Sequence, residues 1–354
     1  MSRPQPRRRW RRGLVGLAIL ILVVILVVRI RGASFQWGVF FTTLQQVAWP
    51  WLILCVLLML LTYFSRALRW EVMLRPFDRR VSVTRLTSDT AIGFMAAALL
   101  GRVGEMVRPY LISVSASVPF SSQVAAWFLE RLLDLMAVLL LFGLALTRLP
   151  AHGDLGPGLR WSLGFGGYVA TALGALCLLI LVLFRSFPAV AETRILNALR
   201  FLPDNYYQHS KQLLETFSRG VQATRETAML NALVLYTALQ WAVIAGSYYA
   251  FFHMFTATSK LKSTDVVLIL GFAAFGSLFQ IPGIGGGTQI TSIVVLTEIY
   301  GLSFEVASGI AIFMWALTLA VIVPFGLACA FHQGWNWRKI KRLAFDELPK
   351  QEPL

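Results

Sequence analysis

Residues 87–118 read TSDTAIGFMAAALLGRVGEMVRPYLISVSASV, an apolar run that opens like a membrane helix and breaks after about fourteen residues at Gly101-Arg102-Val103-Gly104. At 1.5 Å rise per residue that limb reaches about 21 Å, short of the roughly 30 Å of hydrocarbon in a bilayer. The stretch therefore predicts two short helices around a flexible turn, a re-entrant hairpin that dips into a membrane and returns to the side it came from. Residues 265–300, DVVLILGFAAFGSLFQIPGIGGGTQITSIVVLTEIY, break in the same way at Pro282-Gly283-Ile284-Gly285-Gly286-Gly287. Whether these two stretches cross or return decides the fold.

The rest of the chain sets them in a membrane. Of 354 residues 57% are hydrophobic and only 14% charged, yet the net charge is +15. A basic nucleic-acid-binding domain needs more polar residues to seat such a charge, and a disordered basic chain does not carry 25 Phe and 11 Trp. Apolar segments long enough to cross lie at 14–28, 48–64, 124–147, 164–184, 231–255 and 305–331, six crossings in all. The basic N-terminus with its apolar run resembles a secretory signal, but Arg29 and Arg31 stand where a small-x-small cleavage site belongs. An uncleaved first helix is expected.

Basic residues test the topology. Stretches 1–13, 65–85, 185–229 and 332–354 hold 23 of the 32 Lys and Arg, while 29–47, 148–163 and 256–264 hold 6. If both hairpins return, every basic-rich stretch falls on the cytoplasmic side, as the positive-inside rule requires. If one hairpin alone crossed, the separation would fail. The order then reads span, span, hairpin, span twice in opposite orientation. The expected fold is thus all-α and polytopic, with six full spans and two re-entrant hairpins in an inverted-topology repeat. Repeat one covers about 14–147 and repeat two about 164–331, joined by amphipathic cytoplasmic helices at about 188–228 and flanked by basic cytoplasmic tails at 1–13 and 332–354. Such repeats place a substrate site near the midplane where broken helices meet. The alternative is that the Gly-rich breaks serve only tight helix packing.

Charges inside a membrane require partners or water and mark functional sites by default. One group is Gly101-Arg102-Val103-Gly104-Glu105-x-x-Arg108, at the tip and return limb of the first hairpin. Glu105 and Arg108 are i,i+3 neighbours able to pair, and Arg102 beside free backbone N–H groups adds positive charge, so an anion is the natural guest. The second group is Glu130-Arg131-Leu132-Leu133-Asp134 in the third span, with both carboxylates on one helix face. Two readings stay open for it: partners or proton relays for Arg102 and Arg108, or interfacial anchors. Arg66 and Arg69, with Glu71, close the second span, where they anchor the helix end in anionic lipid or funnel a phosphate inward. In the second hairpin Gln280, Thr288, Gln289 and Thr291 either bind headgroup oxygens or satisfy one another. Trp49, Trp51, Trp70, Trp161, Trp335 and Trp337 fall near span ends and are expected in the interfacial aromatic belt. Cys55, Cys177 and Cys329 sit in apolar runs, and the four His are far apart, so neither disulfides nor a metal site are expected. No cofactor is expected either.

Arg66-x-x-Arg69-Trp70, Gly101-Arg102-Val103-Gly104-Glu105-x-x-Arg108, Glu130-Arg131-Leu132-x-Asp134 and the late Pro-Gly-x-Gly-rich segment together resemble the lysylphosphatidylglycerol synthase transmembrane region, or flippase-like, family over about 14–331. The resemblance implies movement of lipids between leaflets: aminoacylated phosphatidylglycerol, hopanoids or polyprenyl-linked glycans. Two departures narrow it. Only 23 residues follow Phe331, so the soluble domain that transfers an amino acid from tRNA is not expected. Gln289 stands where many members carry the Glu of PGGxGxxE. The expected protein is a non-enzymatic lipid transporter of the cell membrane with both termini cytoplasmic. Its partners are the bilayer and an anionic lipid held between the two hairpins, with a second copy or a lipid-synthesis enzyme as further candidates and no nucleic acid. No GxxxxGK[ST] phosphate loop is present, which leaves ion or lipid gradients as the energy source. The competing readings are a membrane-embedded lipid transferase or glycosyltransferase and a non-transporting subunit of a lipid-synthesis complex.

Overall fold

A computed structural model describes residues 35–77, 81–147, 157–186, 197, 227–277, 280–281 and 285–334. The expected first span at 14–28, nearly all of the 188–228 connection, the N-terminal tail, the C-terminal tail beyond 334, Pro282 and Gly283 lie outside the described residues, as do the side chains of Arg102 and Gln280. What is described is essentially all helix: α1 Trp37–Gln45, α2 Trp49–Leu74, α3 Val83–Leu100, α4 Val107–Ala116, α5 Phe120–Leu146, α6 Pro157–Ser186, α7 Thr227–His253, α8 Ser263–Gly276, α9 Gly287–Glu298 and α10 Phe304–His332. Three of them, α2, α7 and α10, are long and apolar enough to cross a membrane by length and composition. The 27-residue α5 has similar length but carries Glu130, Arg131 and Asp134.

The bundle has two ends, one where α2 begins at Trp49 and one where it finishes at Leu74. Helices α2 and α7 pack side by side and run antiparallel, since the Ala48 N–H donates to the Met254 carbonyl at 2.9 Å and Val47 pairs with Phe255. At the Leu74 end, Leu74 joins Leu86, Ile112, Ala116 and Val118 in one apolar cluster, with Trp127 packed against it. Both limbs of the first hairpin and the start of α5 therefore meet at the end where α2 finishes. At the Trp49 end, Phe142 and Leu146 of α5 pack with Phe252, Phe255, Ile269 and Ile310. Helix α5 thus runs end to end, and the second hairpin opens at the end opposite the first. Helix α10 starts beside Phe40 at the Trp49 end and finishes where Ala330 packs on Ile92 and Met95.

Both broken stretches fold as two short helices packed together, with tips more ordered than a flexible turn. In the first, α3 and α4 are joined by a 3-10 turn over Gly101–Met106, entered through Gly101 at φ 67°, a conformation that penalises a Cβ. In the second, α8 and α9 pack together and the tip is a two-residue antiparallel ribbon, Gln280 opposite Gly286 and Ile281 opposite Gly285. The limbs of the first hairpin approach so closely that a Cβ on Gly93 would sit 2.3 Å from the Cβ of Arg108. That contact fixes where Arg108 lies. Packing between the halves is reciprocal: α3 of the first hairpin packs on α10, and α8 of the second on α5. Short α1, in the basic-poor stretch 29–47 between the first two expected spans, packs on α10, with Phe40 of α1 and Phe304 of α10 both in ring contact with Phe35.

Lipid-facing surface is plain in the exposures. Ile53, Leu57 and Leu61 on α2, Phe165 and Leu173 on α6, and Leu235 and Leu239 on α7 are all exposed. Contiguous apolar rows of this kind mark a surface whose solvent is hydrocarbon.

Candidate functional site

Five charged side chains from three separate elements meet inside the bundle. Helix α2 supplies Arg66 and Arg69, the return limb α4 supplies Arg108, and α5 supplies Glu130 and Asp134. Glu130 lies ten residues into α5, about 15 Å from the Leu74 end at 1.5 Å per residue. On a helix, residues three and four apart share a face, so Arg66 and Arg69 reach the cluster together, as do Glu130 and Asp134.

Arg69 is the centre. Its guanidinium is fully buried and donates from Nη1 to Asp134 Oδ1 at 2.8 Å and from Nη2 to Glu130 Oε1, bridging both carboxylates. Nη1 also reaches Thr237 Oγ1 on α7 at 3.2 Å. Arg108, 3% exposed, donates from Nη2 to Glu130 Oε1 at 3.0 Å and stacks over the Trp70 ring, 4.6 Å from its centroid. The Trp70 indole N–H donates to the other Glu130 oxygen at 3.1 Å. Arg66 stands 3.6 Å from Glu130 and 3.8 Å from Asp134 without a hydrogen bond to either, and lies over the Phe94 ring at 4.7 Å. From α7, Gln240 Nε2 and the Trp241 indole N–H both point at Asp134 Oδ1, at 3.4 and 3.3 Å.

Every oxygen of the two carboxylates accepts at least one hydrogen bond, whereas several guanidinium nitrogens donate none, and Gln240 Oε1 beside Asp134 is a buried acceptor without a donor. Arg66 Nη1 and Arg108 Nε and Nη1 are buried with no hydrogen-bond partner among the described residues. Among the described residues three positive groups face two negative ones. A buried charge without compensation is strongly unfavourable. Aromatic faces offset part of this, since a guanidinium over a desolvated ring gains on the order of 1–2 kcal/mol, but they accept no N–H hydrogen bond in the guanidinium plane. The arrangement has room, chemically, for one more anion.

Several readings of the sequence need correction. Arg69 is not a lipid anchor at a helix end, because α2 continues to Leu74 and turns that side chain into the protein. Trp70 is not in an interfacial belt either; it is fully buried between Arg108 and Glu130, whereas Trp49 and Trp161 are exposed at 71% and 70%. Arg108 pairs with Glu130 of another helix instead of its i,i+3 neighbour Glu105, which is half-buried. Glu130 and Asp134 are buried inside the bundle, so the anchor reading falls for them.

The second hairpin brings no side chain to this cluster among the described residues. Gln289 Oε1 accepts the Gly286 N–H at 2.7 Å, Thr291 Oγ1 donates to the Gly287 carbonyl at 2.8 Å, and Thr288 Oγ1 reaches the Ala273 carbonyl at 3.5 Å. Of the two readings for these residues, mutual satisfaction is the one seen for all three. Sequence reading missed Phe94, Thr237, Gln240 and Trp241. The available signal was the spacing of the last three, all on one face of an otherwise apolar span.

An all-helical chain with crossing helices and a buried charge cluster defines a polytopic membrane protein. Residues 13–326 match the family described as lysylphosphatidylglycerol synthase TM region, and the chain belongs to that family. It is also similar to glycosyltransferase AglD of Haloferax volcanii, 27% identical over 176 residues, which cover 45% of this chain and 28% of that protein. No solved structure matches.

Proposed function

We propose that the protein carries an anionic lipid between leaflets, with the headgroup held by Arg66 and Arg108 and the acyl chains left in the bilayer. The observation that carries this reading is the set of buried, unpartnered guanidinium donors in a cluster whose described residues hold more positive than negative groups. Phosphate oxygens suit such donors, because a planar fork of N–H groups matches their spacing. Arg102, at the tip of the same hairpin, belongs to the proposed headgroup site by its place in the sequence.

The same reading includes the inverted repeat and the membrane topology. Antiparallel α2 and α7, hairpins opening at opposite ends, and the reciprocal packing of α3 on α10 and α8 on α5 all support two halves of opposite orientation. Each hairpin then is re-entrant. The Leu74 end, where the basic stretches around Arg75 and beyond His332 emerge, is cytoplasmic by the positive-inside rule.

Leaflet exchange tests the function. The purified protein goes into liposomes with labelled phosphatidylglycerol, alongside Arg102→Ala and Arg108→Ala variants of verified fold. Exchange by the wild type and its loss in Arg108→Ala are expected; no exchange of any anionic lipid would sink the reading, and full exchange by both variants would sink the site. A transferase, the reading favoured by the name of the archaeal relative, would change the mass of the lipid, and the same vesicles extracted for mass spectrometry separate the two.

A further inference from the structure

Phe94 of α3 carries no charge and no hydrogen-bonding group, yet both arginines of the proposed headgroup site lie over its ring. We infer that Phe94 is a positioning residue for that site: its aromatic face holds the Arg66 and Arg108 guanidiniums so that their unpartnered N–H groups stay available to a phosphate oxygen. This rests on the proposed lipid-binding reading and deepens it.

The guanidinium carbon of Arg66 is 4.7 Å from the Phe94 centroid and that of Arg108 is 5.7 Å away, both within the roughly 6 Å over which an aromatic face attracts a cation. The same two side chains converge on one oxygen, Glu130 Oε1, with Arg108 Nη2 at 3.0 Å and Arg66 Nη1 at 3.6 Å. Two like charges are thus gathered between a carboxylate of α5 and a ring of α3. Local sequence explains how the ring comes to be there. Gly93, the preceding residue, lets α4 approach until a Cβ at that position would lie 2.3 Å from the Arg108 Cβ, which brings the Phe94 ring beside the Arg108 side chain. Tyr63, one turn before Arg66 on α2, meets the same ring edge to face with centroids 5.8 Å apart.

A stacked ring covers the face of a guanidinium and leaves its in-plane N–H groups free. For Arg66 this decides whether a donor remains. Its Nη1 stands 3.6 Å from Glu130 and 3.8 Å from Asp134, within ion-pair range but without a hydrogen bond, and its side chain is 13% exposed. Without an aromatic face to lie on, a flexible arginine gains by closing onto the two carboxylates or by turning towards its exposed side. Either movement occupies the donor before a ligand arrives, whereas a guanidinium held in its bound position loses little further freedom on binding. Arg108 has a second ring, Trp70 at 4.6 Å, and depends less on Phe94. Trp70 also donates its indole N–H to Glu130, so a change there disturbs the carboxylate as well. Phe94 offers the guanidiniums its face alone.

Graded fluorination of Phe94 tests this, because ring fluorines drain the negative face that attracts a cation while nearly keeping the shape of the side chain. Full-length protein carrying phenylalanine with one, two or three ring fluorines at position 94 is titrated in detergent with phosphatidylglycerol, and affinity is read from the ligand-induced rise in Tm. Affinity should weaken with each fluorine and reach about a tenfold loss with three, which corresponds to about 1.4 kcal/mol, while the ligand-free Tm does not fall in step. Phe94→Leu should lose at least as much affinity, and Phe94→Tyr, which keeps an aromatic face, should retain it. The same fluorinated series at Phe325, which meets Tyr63 but lies over no guanidinium among the described residues, should bind as the wild type does. Equal affinity across the Phe94 series, or an equal loss in the Phe325 series, overturns the inference and leaves the lipid site standing. A ligand-free Tm that falls in step with affinity makes the ring a packing element only and overturns it as well. No rise in Tm for the wild type itself overturns the underlying lipid-binding reading.

Discussion

The two hairpins have one architecture and opposite chemistry. Each is a pair of short helices folded back on itself, opening at opposite ends of the bundle. The first sends its polar side chains outward: Arg108 reaches α5 to pair with Glu130, and Asp89 accepts from Gln333 at the end of α10 at 3.0 Å. The second turns its polar groups inward, with Gln289 and Thr291 bonded to its own tip and Thr288 facing its own α8. In a medium without water, a backbone break must be satisfied by something nearby. Among the described residues the tip of the second hairpin satisfies itself, although Ser292 Oγ further along α9 is buried without a partner; the first bonds Ser115 to Asp89 internally but relies on its neighbours for Arg108 and leaves guanidinium donors over. The proposed headgroup site lies with the one that leaves guanidinium donors unpartnered.

Substitutions break or sharpen this contrast. The largest effect is expected from Glu130→Ala, which strips Arg108 and the Trp70 N–H of their acceptor and leaves Arg69 only Asp134 and Thr237. Removing one partner of a buried pair destabilises by about 3–5 kcal/mol, so thermal unfolding in detergent should show a Tm far below the wild type. An unchanged Tm would mean the cluster is not buried as described. Next comes the pair Gly93→Ala and Gly276→Ala, each placing a Cβ within 2.4 Å of the opposite limb. Both should lose about 1–3 kcal/mol through overpacking, but only Gly93→Ala displaces Arg108 and should also slow lipid exchange at equal folded amounts. Equal losses of exchange would erase the distinction between the hairpins. Smallest is Gln289→Ala, which removes the acceptor for the Gly286 N–H; a lost helix-cap bond is worth about 1 kcal/mol, and exchange should stay at the wild-type rate.

Topology can be broken separately. With native Cys55, Cys177 and Cys329 replaced, single cysteines at Phe77 and Ser121 flank the first hairpin, and those at Lys260 and Glu298 flank the second. Impermeant labelling of intact vesicles should modify the two members of each pair from the same side, and the two pairs from opposite sides. A split within either pair would make that hairpin a crossing.

The hairpins were legible because Gly and Pro interrupt otherwise apolar runs, and Arg108, Glu130 and Asp134 because charge in such runs stands out. Arg69 was misread for a physical reason. Hydropathy falls at Ser65-Arg66, so the span was ended at 64, but the helix runs on to Leu74 with its inward face carrying Arg66, Arg69 and Trp70. Burial depends on which neighbour covers that face, which the chain alone does not state. Moving Arg66 and Arg69 out of the cytoplasmic count leaves the basic asymmetry intact, so the orientation argument survives the correction. Thr237, Gln240 and Trp241 were silent because uncharged polar residues scarcely lower the hydropathy of a span; the antiparallel seam of α2 and α7 sets Thr237 against Arg69, and Gln240 and Trp241 face Asp134 of α5.

Ligand-dependent stability addresses the central claim without depending on transport. An anion bound to the unpartnered donors of Arg66 and Arg108 stabilises the folded state by mass action, by about 2.7 kcal/mol at a hundredfold excess over Kd. Detergent-solubilised protein titrated with phosphatidylglycerol should show a saturating rise in Tm, and Arg66→Gln combined with Arg108→Gln should abolish it while phosphatidylcholine leaves both proteins unmoved. An equal rise in the double variant would place the anionic lipid elsewhere and contradict the account.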